Sequence, residues 1–377
     1  MNVENLLAGF KSLGIEDFVG VPDSTLKSFC DYVNTNISNE HHFVPVNEGA
    51  AVGLAAGIYL GKNKVSCVYM QNSGIGNAIN PIASLINEKV YDIPMLFMIG
   101  YRGEPGIKDE PQHKFQGEIT IPLLDCLDIP SVVISSDTTQ DQLDKIIEQA
   151  RKQLDNNKQF AIIVKKDTFD KVPAFVYDNG YTLNREAAIK EILKATTSED
   201  IIVSTTGKIS REVYEQCDAL FGNHERTFLT VGSMGHASMI ALGIALEQKD
   251  KQVYCIDGDG AAIMHMGSMA FIGKQKITNF HHITLNNDAH ESVGGMPTNC
   301  LGISLSDIAK VSGYTSAHCV DNIHDLNDAL ASLKSLEGPT YLEVKVALGA
   351  RSDLGRPKES AIENKENFMK NIKTWRK

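Results

Sequence analysis

The sequence predicts an α/β protein of two doubly wound parallel-sheet domains, with no room at its length for a third between them. Three observations carry this prediction. The chain has 377 residues, too many for one compact core and suited to two domains of roughly 100–200 residues each. Short, near-continuously apolar runs of strand length recur along it, as strands covered on both faces require. Amphipathic segments fall between these runs, so strand and helix alternate throughout.

Taken in order, residues 1–10 read as a first helix. They carry a Glu and no basic segment ahead of an apolar run, so they are not a secretory signal. Strands are predicted at 17–21, 42–46, 65–70, 95–99, 131–134 and 160–164, with helices at 49–59 and 139–154 among them. The stretch 168–184, TFDKVPAFVYDNGYTLN, has Pro, Gly and turn residues and weak periodicity, which marks a connection. A second series follows, with strands at 201–204, 227–230, 252–256, 282–286 and 340–346 and helices at 185–195, 233–246 and about 261–276. The expected division is a first domain over 1–175, a linker over 176–187 and a second domain over 188–377.

Composition narrows the function. With 42% hydrophobic and 22% charged residues, the chain is neither disordered, collagenous nor a coiled coil. The net charge, 36 − 47 = −11, lacks the basic footprint that nucleic-acid or anionic-membrane binding needs. Its longest apolar stretches, such as 50–60, are broken by Gly and fall short of the ~20 residues of a membrane span. Seven cysteines (30, 67, 126, 217, 255, 300 and 319) are scattered without a C-x-x-C pair, which suits reduced packing thiols in a cytoplasm. The 11 histidines form neither H-x-x-x-H nor H-E-x-x-H, so nothing points to zinc.

Residues 253–287, VYCIDGDGAAIMHMGSMAFIGKQKITNFHHITLNN, carry the most chemistry. A buried strand ends in Asp257-Gly258-Asp259-Gly260, a helix follows, and the next strand ends in Asn286-Asn287. One right-handed β-α-β unit thus brings Asp259 and Asn287 to neighbouring strand ends, at the crevice where open α/β sheets bind ligands. A carboxylate and an amide oxygen there suit magnesium, with diphosphate oxygens and water completing the shell. Gly258 and Gly260 let backbone approach phosphate, and the helix start at Ala261 offers free N–H groups. Gly-Asp-Gly alone is an ordinary turn; the later Asn-Asn pair, 28 residues after Asp259, makes it specific. The segment lacks the acidic ligands of a calcium loop and the G-x-G-x-x-G spacing, and Gly207-Lys208 lacks the earlier Gly of a P-loop.

The pairing resembles the magnesium–diphosphate motif of thiamine diphosphate-dependent 2-oxo acid decarboxylases. Glu48, opening the small-residue helix GAAVGLAAG, and the run Gly232-Ser233-Met234-Gly235 extend the resemblance. It implies a pyrimidine-binding first half and a diphosphate-binding second half, with thiamine diphosphate and Mg2+ as cofactors and a homodimer, or a higher oligomer, as the active form. Glu48 would exchange a proton with the aminopyrimidine ring, the Gly232 carbonyl would accept from its amino group, and Met234 would wedge the cofactor into its bent form. Asp259, Asn287 and the carbonyl of Ala289 would be the metal ligands, and Gly207 and Lys208 would lie at the diphosphate. One departure is Asp288, which stands where Gly is common after Asn-Asn.

Within the family, the segments 20–24, 71–74, 102–106, 109–113, 205–208, 287–295 and 351–357 resemble the branch whose substrates are 3-phosphono- or 3-sulfo-2-oxo acids. The implied reaction is decarboxylation of 3-phosphonopyruvate, with the sulfonate analogue as the alternative. A carboligase on the same scaffold and a cofactor-sensing binding protein are further readings; an intact Glu48 argues against the last. A small anionic 2-oxo acid needs local cations, and Arg102, Lys108, His113, Lys208, Arg211, Arg351 and Arg356 are the candidates. Asp23 and Ser24 join Arg102, Lys108, Arg351 and Arg356 as expected substrate contacts. His113 and His290, in Gly/Pro-rich loops, are candidate proton shuttles.

Overall fold

The computed structural model describes residues 1–333 and 335–374. It divides into two compact units: Met1–Val176 with Ser292–Met296, and Tyr177–Glu291 with Pro297–Lys377. In the first, β1 (Asp17–Gly20), β2 (His42–Phe43), β3 (Ser66–Gln71), β4 (Met95–Gly100), β5 (Ser131–Ile134) and β6 (Gln159–Val164) form one sheet in the order β2-β1-β3-β4-β6-β5. Every pairing in it is parallel, with Phe18 opposite Cys67 and Tyr69 opposite Met98.

Alternate residues of these strands point to opposite faces, and each face has its own core. On one, Phe18, Tyr69, Leu96, Met98 and Ile162 pack with Leu6 and Phe10 of helix Val3–Ser12, Phe29 of Lys27–Asn36 and Leu143 of Gln140–Leu154. On the other, Val68, Met70, Phe97 and Ile99 meet Ala51, Val52 and Ala55 of helix Glu48–Lys62 and Ile75 of Ile75–Pro81. Small side chains let helix Glu48–Lys62 lie close to the sheet, and Asn47 caps it, its Oδ1 accepting from the Ala50 N–H at 2.8 Å. Thr139 is the cap of the helix expected from 139, and forms a capping box with Gln142.

In the second unit, β7 (Ile201–Ser204), β8 (Thr227–Leu229), β9 (Val253–Gly258), β10 (Phe280–Asn286), β11 (Ser316–Val320) and β12 (Thr340–Lys345) form a second parallel sheet, ordered β11-β12-β10-β9-β7-β8. Its core joins Ile202, Ile256, Ile283, Leu285 and Leu342 to Ile189 and Ile192 of helix Arg185–Ala195, Val213 of Lys208–Phe221 and Leu326 of Ile323–Leu333.

Several expected elements differ. The edge strand β11 was not expected, because its half-exposed residues form no apolar run. The helix expected over 261–276 is two, Asp259–Met264 and Gly267–Gln275, interrupted at His265 where φ is −130° and ψ 46°. The helix expected from 233 starts at Ala237, because Ser233 (φ +56°) and Gly235 (φ +85°) are left-handed. Arg185 opens a helix inside the stretch 176–187. All seven cysteines are free and five are buried, but Cys126 and Cys319 are exposed and so are not packing residues. Among the described residues no helix is long and apolar enough to cross a membrane.

Candidate active site

In the first unit the predicted residues gather beyond the carboxyl ends of β2, β1, β3 and β4. Glu48 is the first residue of its helix and is buried. Asn77 Nδ2 donates to Glu48 Oε2 at 2.7 Å. A Cβ on Gly74 would lie 2.5 Å from Glu48 Oε1, so the absence of a side chain at 74 makes room for the carboxylate.

Asp23, just past β1, is fully buried; its Oδ2 accepts from the Thr25 N–H at 2.9 Å and its Oδ1 from Gln71 Nε2 at 2.5 Å. Arg102, just past β4, forks onto Asp109, with Nε donating to Oδ2 at 2.8 Å and Nη2 to Oδ1 at 2.5 Å. The Gly103 and Glu110 N–H groups donate to the same carboxylate. Hydrogen bonding from Arg102, above all, holds the Asp109 carboxyl well below the usual carboxylate range. Arg102 Nη1 donates to Ser24 Oγ at 3.0 Å, so one edge of the guanidinium remains directed at that hydroxyl. His113, early in helix Pro111–Cys126, has a buried Nδ1 without a hydrogen-bond partner. Burial, followed by the Arg102 charge, lowers its pKa. Ser24, Arg102 and His113 thus come together with Asp23, whereas Lys108 is exposed.

In the second unit Asp259 opens helix Asp259–Met264 at the end of β9. It is 4% exposed, and Thr298 Oγ1 donates to its Oδ2 at 2.6 Å. Burial pushes its carboxyl up to about 7. Beneath it, Asp257 accepts from the Gly258 N–H at 2.9 Å and lies 3.3 Å from His282 Nε2. At the end of β10, Asn287 Oδ1 accepts from the Ala289 N–H at 3.2 Å, and Asn287 Nδ2 donates to Glu291 Oε2 at 2.9 Å. The Ala289 carbonyl accepts from the Glu291 N–H at 2.8 Å. Asp288 has φ +54°, the left-handed conformation that explains a preference for Gly and that Asp tolerates. Its buried carboxylate is anchored by the Tyr181 hydroxyl at 2.8 Å.

Met234, Gly260 and His290 converge. A Cβ on Gly260 would lie 3.1 Å from Met234 Cε and 3.4 Å from His290 Nδ1. Burial lowers the His290 pKa to about 4, and its Nε2 has no hydrogen-bond partner. Gly232 lies in the turn after β8, Gly258 ends β9 against Ile209, and Ala261 is buried in the helix that follows. Gly207, with φ +91°, precedes helix Lys208–Phe221 and faces open space. Lys208 Nζ is paired with Glu291 Oε1 at 2.7 Å.

The C-terminal arginines are placed differently from expectation. Arg351 pairs with Glu186 at 3.1 Å, with Asp353 at 3.2 Å and with Glu215, so its charge is already taken up by carboxylates. Arg356 is exposed, and Arg211 is half-buried on helix Lys208–Phe221. The residues overlooked were Asn77, Asp109, Arg185, Glu212, Glu291 and Thr298. Asp109 and Glu291 lie inside segments that carried the resemblance; the others have no local signal. The donor set at Asp259, Asn287 and the Ala289 carbonyl is all hard oxygen and fits Mg2+. Burial first, and then the negative charge of Asp288, raise the Asp259 pKa, and a divalent cation would supply the counter-charge that both call for.

The chain matches the thiamine pyrophosphate enzyme N-terminal TPP binding domain over residues 1–124 and the C-terminal TPP binding domain over residues 216–344. These matches define a thiamine pyrophosphate enzyme. The chain is 33% identical to the phosphonopyruvate decarboxylase of Streptomyces viridochromogenes, across 98% of this chain and 94% of that protein. It is 32% identical to the phosphonopyruvate decarboxylase of Streptomyces hygroscopicus, across 98% and 93%. Sulfopyruvate decarboxylase of Methanococcus maripaludis is matched in both subunits. The alpha subunit is 36% identical across 41% of this chain and 87% of the subunit, and the beta subunit 34% across 43% and 84%. The chain belongs to the phosphonopyruvate decarboxylase family of thiamine pyrophosphate enzymes, and it is a carboxy-lyase that acts on a small 2-oxo acid.

Proposed function

We propose that this chain converts 3-phosphonopyruvate to phosphonoacetaldehyde and carbon dioxide, a step in building phosphonates such as 2-aminoethylphosphonate. The observation that carries the reading is similarity to phosphonopyruvate decarboxylases across 98% of the chain. Bound thiamine diphosphate supplies the electron sink that lets a 2-oxo acid lose carbon dioxide. Asp259, Asn287 and the Ala289 carbonyl would hold Mg2+ and, through it, the diphosphate. Gly207, Gly258, Gly260 and Ala261 would turn backbone toward the phosphates, with Lys208 at the edge of that group. The Gly232 carbonyl and the Met234 side chain would fix the orientation of the cofactor.

Glu48 is the residue we assign to move a proton at the aminopyrimidine ring; Asn77 holds one of its oxygens, and the missing side chain at Gly74 leaves room for the other. Arg102, kept rigid by Asp109, has an edge directed at Ser24 that suits a phosphonate oxygen. Asp23 is assigned a supporting place beside them. Burial lowers the pKa of both His113 and His290 and so favours the neutral imidazole, the form that can accept a proton beside the bound substrate. The proposed active form is a cytoplasmic homodimer or a higher oligomer of it. The two-subunit relatives support an assembled enzyme.

The test is product analysis with phosphonopyruvate, sulfopyruvate and pyruvate. Phosphonopyruvate is expected to lead pyruvate by about two decades or more in kcat/KM, since pyruvate's methyl group cannot accept the hydrogen bonds that the half-buried Arg102 edge and Ser24 offer a phosphonate. Sulfopyruvate should fall between them, and Arg102→Gln should narrow the gap by hurting phosphonopyruvate more. Similar efficiency on all three would overturn the proposal, and a preference for sulfopyruvate would move the chain to the sulfonate reading.

A further inference from the structure

One largely buried ion network in the second unit enters the chemistry above only through Lys208. Glu291, in the turn Glu291–Val293, accepts from Asn287 Nδ2 at 2.9 Å and from Arg185 Nη1 through Oε2, and from Lys208 Nζ at 2.7 Å through Oε1. Arg185 is 4% exposed and is itself held by Glu212, with both hydrogen bonds at 2.8 Å. Two carboxylates and two cations make the network neutral. Its members come from three separate places: the start of helix Arg185–Ala195, the first two turns of Lys208–Phe221, and the loop after β10. Removing one member of such a buried set leaves an uncompensated charge, so its geometry is strongly fixed.

What it fixes is the amide of Asn287. An amide has an oxygen end that can ligate a cation and a nitrogen end that cannot, and the two have nearly the same shape. A carboxylate only accepts hydrogen bonds, so Glu291 can engage only the NH2 end. A flipped Asn287 would set its oxygen against Glu291 Oε2 and its NH2 against the Ala289 N–H, two repulsive contacts in place of two hydrogen bonds. We infer that Glu291, anchored by Arg185 and Lys208, is a positioning residue that keeps the Asn287 side-chain oxygen turned toward the metal-binding loop. This rests on the proposed assignment of Asn287 as a magnesium ligand.

The experiment is a Mg2+ titration of thiamine diphosphate retention by the full chain, followed by equilibrium dialysis, with circular dichroism to confirm folding. Glu291→Ala should raise the half-saturating Mg2+ concentration about 10- to 100-fold, the usual scale for losing a partner that orients a metal ligand. Glu291→Gln, which can still accept from Asn287 through its amide oxygen, should recover part of that loss. Asn287→Ala should weaken Mg2+ at least as much, and adding Glu291→Ala to it should produce little further loss, because both act through one oxygen. An unchanged Mg2+ midpoint in Glu291→Ala overturns the inference, as does a loss that adds in full to that of Asn287→Ala. If Glu291→Ala does not fold, Glu291→Met, similar in size and unable to engage the Asn287 amide, takes its place, and the same two outcomes overturn the inference. An Asn287→Ala variant with parent-like Mg2+ binding would instead overturn the ligand assignment, and the positioning role with it.

Discussion

Both oxygens of Glu48 are accounted for, one by the Asn77 amide and the other by the space that Gly74 leaves open. A Gln at this position keeps the shape and loses the exchangeable acid proton. Glu48→Gln is therefore expected to retain thiamine diphosphate while kcat falls by about 10²–10⁴, the range for losing an acid–base group. Parallel measurement of kcat and of cofactor affinity checks it, and an equal loss in both would place the proton transfer elsewhere. At this scale the sequence discloses residues whose spacing a β-α-β unit fixes, such as Asp259 and Asn287. It does not disclose Arg185, whose partners Glu212 and Glu291 stand 27 and 106 residues away. Nothing local distinguishes such a buried pair from surface charges.

At the scale of elements, central strands and amphipathic helices announce themselves because burial leaves a pattern. β11 leaves none, as an edge strand with only one partner and much of its length exposed. The break at His265 and the late start of helix Ala237–Glu247 are likewise conformational, set by turns that hydropathy does not register. The loop that carries Arg102 shows how tightly such turns are built. Gly103 has φ +68°, and a Cβ there would overlap the His113 carbonyl, while one on Gly117 would overlap the Gly103 carbonyl. Gly103→Ala should lower stability by about 1–3 kcal/mol from the left-handed backbone alone, with the backbone clash adding to it. A shifted urea midpoint with an unchanged m-value is the expected record, and a parent-like midpoint would mean the loop is free to move aside.

For the molecule as a whole, the charge of −11 leaves carboxylates in excess as partners for cations, and several such pairs are formed. One of these couples stability to pH. His224 lies 2.6 Å from Asp218 and 2.8 Å from Glu359. Burial alone would lower its pKa, but hydrogen bonds to Asp218 and Glu359 outweigh that and raise it. A raised folded-state pKa means the contribution is complete below the unfolded value of about 6.5 and is lost as pH climbs through the folded value. The difference in melting temperature between the parent and His224→Gln should thus be largest below about pH 6.5 and shrink above neutrality. A difference that grows with pH would show that the ring acts in its neutral form.

The stretch 168–184 has a consequence beyond its role as a connection. Every strand of the first sheet precedes it and every strand of the second follows it, so no inter-strand hydrogen bond spans it. Its early part stays with the first unit, where Phe169 and Val172 pack on the core and the Phe175 N–H donates to Asp31. Interrupting the reading frame shortly after Val176 would remove one peptide bond and leave both ladders whole. The chain is therefore laid out so that one gene or two can encode the same pair of sheets.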